Sequence, residues 1–396
     1  MGNLADNLPR KILLVSNCAW SLYNSRHNLI MALEEQGWQV LVAAPEKSYV
    51  ANFQHLHSVR FIPLRHLCRK ATFSIRNLLL LFELQKLYLR EHPDFILHFT
   101  IKPNVFGSLA ASWLEIPFIN VVTGLGYTFL DGWGLNRIVR LLYKLSFRKS
   151  SKVVFENPDD LALFYRLNLI EKDQGAIVNG CGVDIRHFNP GHTPERKNGK
   201  RGFTFTFISR LLRDKGLLEF MDAAVSVKKK YPHAEFEVAG ALDQDNPSAV
   251  STSELLQLVN NGLVHYSGFN KDVRPLIANS DCIVLPSYRE GLPKICLEAM
   301  AMGKPLIVTD VAGCRQVAEH GVNGFLVPVK SSDALSLAME QMLLLDAKEL
   351  DAMGKASRRK VEREFRDEVV VRQYFDILEE LIGVSSTEKE LQCEVI

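Results

Sequence analysis

Short runs rich in Val, Ile and Phe alternate with helix-spaced segments along most of the chain, and this alternation limits what it can fold into. In the first half the runs fall at 11–16, 39–44, 60–63, 95–100 and 118–123, and 26–36, 75–91 and 104–114 have helical spacing. Runs apolar on both faces and joined by helices imply parallel strands covered on both sides. The pattern stops at 187–202, HFNPGHTPERKNGKRG, where Pro, Gly and charge dominate, and this segment reads as a linker. It restarts with runs at 203–209, 235–239, 264–267, 282–286, 305–309 and 324–327. The expected fold class is α/β: two Rossmann-like, doubly wound domains facing across a cleft, with ligands outside the carboxyl ends of the strands. The expected boundaries are 1–190, 191–375, and 376–396 for a helix end and disordered tail. A last helical stretch, 356–381, is long enough to cross back over the first half.

With 396 residues the chain can bury two cores. It has no uncharged apolar run of about 18 residues, as a membrane span needs, and its N-terminus lacks the build of a signal peptide. Seven scattered cysteines favour a reduced, cytoplasmic protein. Charge divides unevenly. Residues 1–190 carry 21 basic against 15 acidic side chains, +6, and residues 191–396 carry 26 against 30, −4. A basic first half suggests an anionic surface or substrate.

The most chemical stretch is 282–310, CIVLPSYREGLPKICLEAMAMGKPLIVTD: a strand, a polar elbow, a helix and a second strand. Glu290 sits in the elbow and Glu298 in the helix, with Gly291, Leu292 and Pro293 between them. Glycine lets a ligand approach the backbone, and proline suits a first helical turn. The free amides there favour an anion, and a carboxylate beside them accepts from hydroxyls. Upstream, FTFISRLLRDKGLLEF places Arg210 directly after a strand and Lys215 before a glycine and a helix. Two cations at a strand-to-helix turn are what a departing diphosphate needs without a metal. Asp243-Gln244-Asp245 has the D-x-D form of a metal motif, but Asn-Pro-Ser follows it and a solvated loop is expected.

SRLLRDKG at 209–216, VAG at 238–240, the 285–310 segment with Glu290 and Glu298 eight apart, and GVNGFLV at 321–327 recur in the order found in the donor half of retaining glycosyltransferases of family 4. The chain resembles that family, which implies the GT-B fold. By the resemblance, Arg210 and Lys215 hold the nucleotide diphosphate and Glu290 contacts the donor sugar. Gly291 and Leu292 offer amides, Pro293 and Gly240 line the donor pocket, and Glu298 accepts from the ribose. The implied donor is a UDP-sugar, with no metal or other cofactor.

The TIKPN turn, VVTGLGY, YKLSF and DNPS are similar to a subgroup of N-acetylgalactosaminyltransferases that extend polyprenyl-diphosphate-linked oligosaccharides in bacterial protein glycosylation and capsule assembly. Family members carry a histidine in the turn where this chain has Ile101, which leaves Lys102 as the candidate cation at that strand end. His98, inside the run, reads as a core histidine. Asn24 and Arg26, in a loop leading to a helix, and Gly124 and Gly126, after a strand, are the candidate acceptor contacts. The segment 137–152, RIVRLLYKLSFRKSSK, holds six basic residues and no acidic one. Arg137, Arg140, Lys144 and Arg148 share one helical face, as in a membrane-surface helix. The expectation is a retaining transfer of an N-acetylhexosamine to a lipid-linked glycan at the inner membrane face, with no nucleic-acid partner. A UDP-sugar 2-epimerase and a non-catalytic membrane scaffold are the alternatives.

Overall fold

The computed structural model describes residues 10–45, 59–67, 75–125, 133–192, 202–243, 246–260 and 262–383. They form two compact units. The first runs to Thr123, continues from 133 to Cys181 and takes up again at Asp367, while the second holds Gly124, Leu125 and Gly182–Arg366.

The first unit is built on seven parallel strands: β1 (Lys11–Ser16), β2 (Gln39–Pro45), β3 (Val59–Leu64), β4 (Phe95–Phe99), β5 (Phe118–Val122), β6 (Lys152–Phe155) and β7 (Gly175–Ile177). Their order is β3-β2-β1-β4-β5-β6-β7, so the sheet switches direction between β1 and β4. Alternation along each strand divides the core between the two faces. Ile12, Leu14, Val40 and Val42 meet the helices Ala19–Glu35 and Asp367–Ile382. Leu13, Val15, Leu41 and Ala43 meet the helices Ile75–Glu91 and Ser108–Trp113 on the other face.

The second unit has six parallel strands: β8 (Thr204–Ile208), β9 (Glu235–Ala239), β10 (His265–Gly268), β11 (Cys282–Leu285), β12 (Leu306–Thr309) and β13 (Gly324–Val327). The order β10-β9-β8-β11-β12-β13 puts its switch point between β8 and β11. Two doubly wound parallel-sheet domains are thus present, as expected.

Several local expectations need correction. The strands β6 and β7, of four and three residues, were not expected: KVVF begins at the last residue of the basic segment that was read as helix, and GAI is too short to carry a pattern. The basic helix is Trp133–Phe147, so Arg148 lies beyond its end and Lys152 opens β6. The stretch 356–381 is not one helix: Ala347–Glu364 ends before Asp367–Ile382 begins. Val361 and Phe365 are buried in the second core, whereas Val370, Tyr374, Ile377 and Leu378 are buried in the first. One straight helix would have to expose one of these sets. The units therefore divide at Cys181/Gly182 and Arg366/Asp367, not at 190/191, and 367–375 groups with the first unit. Val183, Ile185 and Phe188 already pack on the second core, and Arg358 donates to the carbonyls of Ile185 and Phe188.

Candidate active site

In the second unit the carboxyl ends of β8, β9 and β11 converge, and three loops are sewn together there. After β8, the chain turns through 210–212 into a 3-10 turn, Arg213–Lys215, and Gly216 starts the helix Leu217–Lys230. Gly216 has φ +76°, and a Cβ there would stand 2.1 Å from the Pro286 carbonyl oxygen. Only glycine lets this turn lie against the end of β11. Gly240, with φ +151°, closes β9 so tightly on β8 that a Cβ would meet the Ser209 oxygen at 1.7 Å. Ser248 receives a hydrogen bond from the Asp214 amide at 3.0 Å and donates to the Asp214 carboxylate at 3.0 Å. The Tyr288 amide donates to the Asp214 carbonyl at 2.9 Å.

This folding brings Lys215 to Glu290. Lys215 Nζ donates to Glu290 Oε1 at 2.6 Å, and both side chains are largely buried, at 15% and 13% exposure. Arg210 stays about half exposed, and its guanidinium donates to Asp243 at 3.0 Å. Gly291 stands under two glycines: a Cβ on Gly313 would meet its carbonyl at 2.2 Å, and one on Gly124 would meet its amide at 3.0 Å. Gly124, expected on the acceptor side, is therefore fitted to the elbow that holds Glu290.

Leu292 is buried, and Pro293 takes the N-cap position, not the first helical turn, of Lys294–Ala301. Glu298 lies on that helix, 7% exposed, with Lys294 Nζ at 3.5 Å. Burial raises its carboxyl above the usual range, and the nearby Lys294 only partly opposes this. Asp214, Ser248, Ser287 and Asp243 hold the three loops together; sequence reading did not single out Asp214, Ser248 or Ser287, and Asp243, read as part of a solvated loop, is largely buried against Arg210. Asp, Ser and Asn are ordinary turn residues, so nothing local marked them.

The first unit gives a different result for the expected acceptor residues. The helix begins at Ala19, so Asn24 and Arg26 are inside it and not in a loop. Asn24 is exposed. Arg26 is 5% exposed, donates to Glu156 at 2.5 Å and to the Gly180 carbonyl at 2.9 Å, and lies over the rings of Phe99 and Tyr374. It is a structural ion pair and is not open to an acceptor. Gly126 lies outside the described residues.

Lys102 is half buried at the start of a π-helical turn, Pro103–Gly107. Just before it, Thr100 has φ +73°, a strained value for a β-branched residue. Such strain gathers at functional strand ends. His98 is fully buried, hydrogen-bonded to Tyr88 Oη at 2.9 Å and near Ser108 Oγ at 3.4 Å. Burial pushes its pKa down to about 3, so it is a neutral core histidine. In the basic helix, Arg137 and Lys144 are exposed, but Arg140 is half buried with its Nε facing no partner. The helix turns Arg140 away from the outer face that sequence spacing assigned to it.

Residues 192–360 match the family model described as Glycosyl transferases group 1, and residues 11–157 match Glycosyl transferase 4-like. The chain is 29% identical, over 94% of its length and 99% of the other's, to the N,N'-diacetylbacillosaminyl-diphospho-undecaprenol alpha-1,3-N-acetylgalactosaminyltransferase of Campylobacter jejuni. It is 26% identical, over 77% of its length and 79% of the other's, to the UDP-Gal:alpha-D-GlcNAc-diphosphoundecaprenol alpha-1,3-galactosyltransferase of Escherichia coli. Among solved structures, Anabaena HepE in complex with UDP and glucose superposes with a TM-score of 0.77 over 94% of this chain and 100% of that one, at 19% identity. That likeness shows the fold.

Proposed function

The chain is a glycosyltransferase, its residues 11–157 belonging to the 4-like family and 192–360 to group 1, and we propose that it moves a sugar from a UDP-linked donor to a polyprenyl-diphosphate-linked glycan with retention at the anomeric carbon. The observation that carries this reading is the buried Lys215–Glu290 pair at the switch point of the second sheet. The pair sets a cation and a carboxylate side by side, as a diphosphate bonded to a polyol requires. Lys215 and Arg210 draw the diphosphate, Glu290 accepts from sugar hydroxyls, and Glu298 accepts from the ribose. The amides of Gly291 and Leu292 face the negative charge that grows as the sugar leaves. The acceptor hydroxyl attacks from the leaving group's own side, and a diphosphate oxygen takes its proton. Neither a protein base nor a metal ion has a role in this scheme, so chelators should leave turnover intact.

The two curated relatives, both named for transfer to diphospho-undecaprenol-linked sugars, support a lipid-linked acceptor. The Campylobacter name favours an N-acetylhexosamine as the group moved. On this reading the protein works peripherally at the cytoplasmic membrane face, with Arg137 and Lys144 towards it. Among the described residues no helix is long and apolar enough to cross a membrane.

The test is a panel of UDP-sugars screened by thermal shift, with the best offered alongside undecaprenyl-diphosphate-linked sugars. Mass spectrometry should find one added hexosyl unit. Conversion of UDP-sugar alone to its 2-epimer would instead support an epimerase.

A further inference from the structure

The helix Ile75–Glu91 turns an unusual surface outward. Ile75 is 77% exposed, and Leu78, Leu79, Phe82 and Leu89 are each between 41% and 51% exposed. The other exposed positions of the helix are Arg76, Lys86 and Arg90, so this face is apolar or cationic at every point. Its two acids turn elsewhere. Glu83 accepts from the amides of Arg65 and His66 at 2.8 and 2.9 Å. Glu91 is buried, bound to Arg60 and to Arg90. Single exposed leucines need no explanation, but a continuous stripe at helical spacing does.

A second helix repeats the pattern. Among its described side chains, Trp133–Phe147 exposes Arg137, Leu141, Lys144 and Leu145, again with no acid. Both helices pack against the segment 103–113, so they flank it on one face of the first sheet. Between them Trp113 is 58% exposed, and Glu115, two residues past the end of that segment, is an exposed acid.

We infer that this two-helix face docks the first unit on an anionic lipid surface, with Ile75, Leu78, Leu79 and Phe82 entering the interface and Arg76, Lys86, Arg137 and Lys144 meeting the headgroups. The charge complementarity selects the occupant. Apolar stripes whose other exposed helix positions are all cationic, with Glu115 as the acid beside them, suit a negatively charged interface, whereas a second copy of the same face would bring like charges together. The inference rests on the lipid-linked acceptor reading and adds the helix that enters the membrane, which the basic segment at 137–152 does not contain.

The full chain would be sedimented with vesicles of phosphatidylglycerol and phosphatidylethanolamine, and with phosphatidylcholine vesicles. Wild type should partition to the anionic vesicles, and less so at high salt. L78D/F82D should lower partitioning at least about tenfold, while its UDP-induced thermal shift and its transfer to a detergent-solubilised acceptor stay unchanged. R137E/K144E should erase the preference for anionic vesicles. Wild type left in the supernatant, or L78D/F82D partitioning like wild type, overturns the inference. So does light scattering in which L78D/F82D only converts a dimer to a monomer. Vesicle binding without any sugar transfer would leave this docking in place and defeat the functional reading.

Discussion

Lys215 and Glu290 stand 75 positions apart in the chain and meet at 2.6 Å. Each was readable in the sequence from its setting: a cation at a strand-to-helix turn, and a carboxylate in a Gly-Pro elbow. Their pairing was not readable, because it depends on β8 and β11 being neighbours in the sheet. In the proposed reaction, replacing Lys215 with Ala removes an electrostatic contact to the leaving group, and turnover should fall about 100- to 1,000-fold. It also strands Glu290 in a largely buried place, so the melting temperature should fall as well, and E290Q added to K215A should restore part of that melting temperature but none of the rate. Glu298 carries the opposite balance. Its folded-state carboxyl is raised above 4.5, so the native state binds the proton more tightly than the unfolded chain and stability declines as pH rises through that range. E298Q should therefore melt higher than wild type at neutral pH, with the gap closing below about pH 4.5, the carboxyl's ordinary value in the unfolded chain, and should bind UDP more weakly. Melting curves across pH check the first effect and titration with UDP the second. Arg26 shows where residue-level reading fails. An arginine after a first strand resembles a ligand contact until Glu156 and Gly180, both remote in sequence, are seen to enclose it. R26A should cost about 3–5 kcal/mol of stability, measured by denaturant unfolding, because a buried carboxylate loses its partner.

Among elements, the central apolar strands were legible, four-residue ones included, and the last two strands of the first unit, β6 and β7, were not. A run such as LLVS or IVL, apolar on both faces, announces a central parallel strand. The strand Gly175–Ile177 is too brief to announce anything. Turns are where glycine carries the information. Gly216 joins the 3-10 turn Arg213–Lys215 to its helix in a left-handed conformation against Pro286, and G216A should cost about 1–3 kcal/mol and loosen the Lys215 position. On the β4 side, the buried network of His98, Tyr88 and Ser108 holds the π-helical turn in place. With His98 near 3 in the fold and 6.5 when unfolded, the native state refuses a proton that the unfolded chain accepts. That contribution is complete above pH 6.5 and is lost as pH falls towards 3. Urea unfolding of wild type should weaken over this window more steeply than that of H98Q.

At the scale of the molecule, two doubly wound parallel sheets were foreseen from the alternation of strands and helices. The place where the chain passes between units was not. Composition pointed to the Pro- and Gly-rich segment near 191, but packing decides it: Val183 and Phe188 belong to one core and Tyr374 to the other. The C-terminal helix Asp367–Ile382 is therefore part of the first unit's core, and ending the chain at 366 should unfold that unit, seen as loss of a cooperative melting transition. The proposed reaction is retaining transfer to a lipid-linked sugar, driven by the second unit's switch-point site. It is tested most directly by incubating the enzyme with an α-linked UDP-N-acetylhexosamine and an undecaprenyl-diphosphate-linked acceptor, then reading the product's mass and anomeric configuration by mass spectrometry and NMR. The expected product carries one added residue in α-linkage and is nearly abolished in K215A. A β-linked product, or equal yield from K215A, would contradict the proposed reaction.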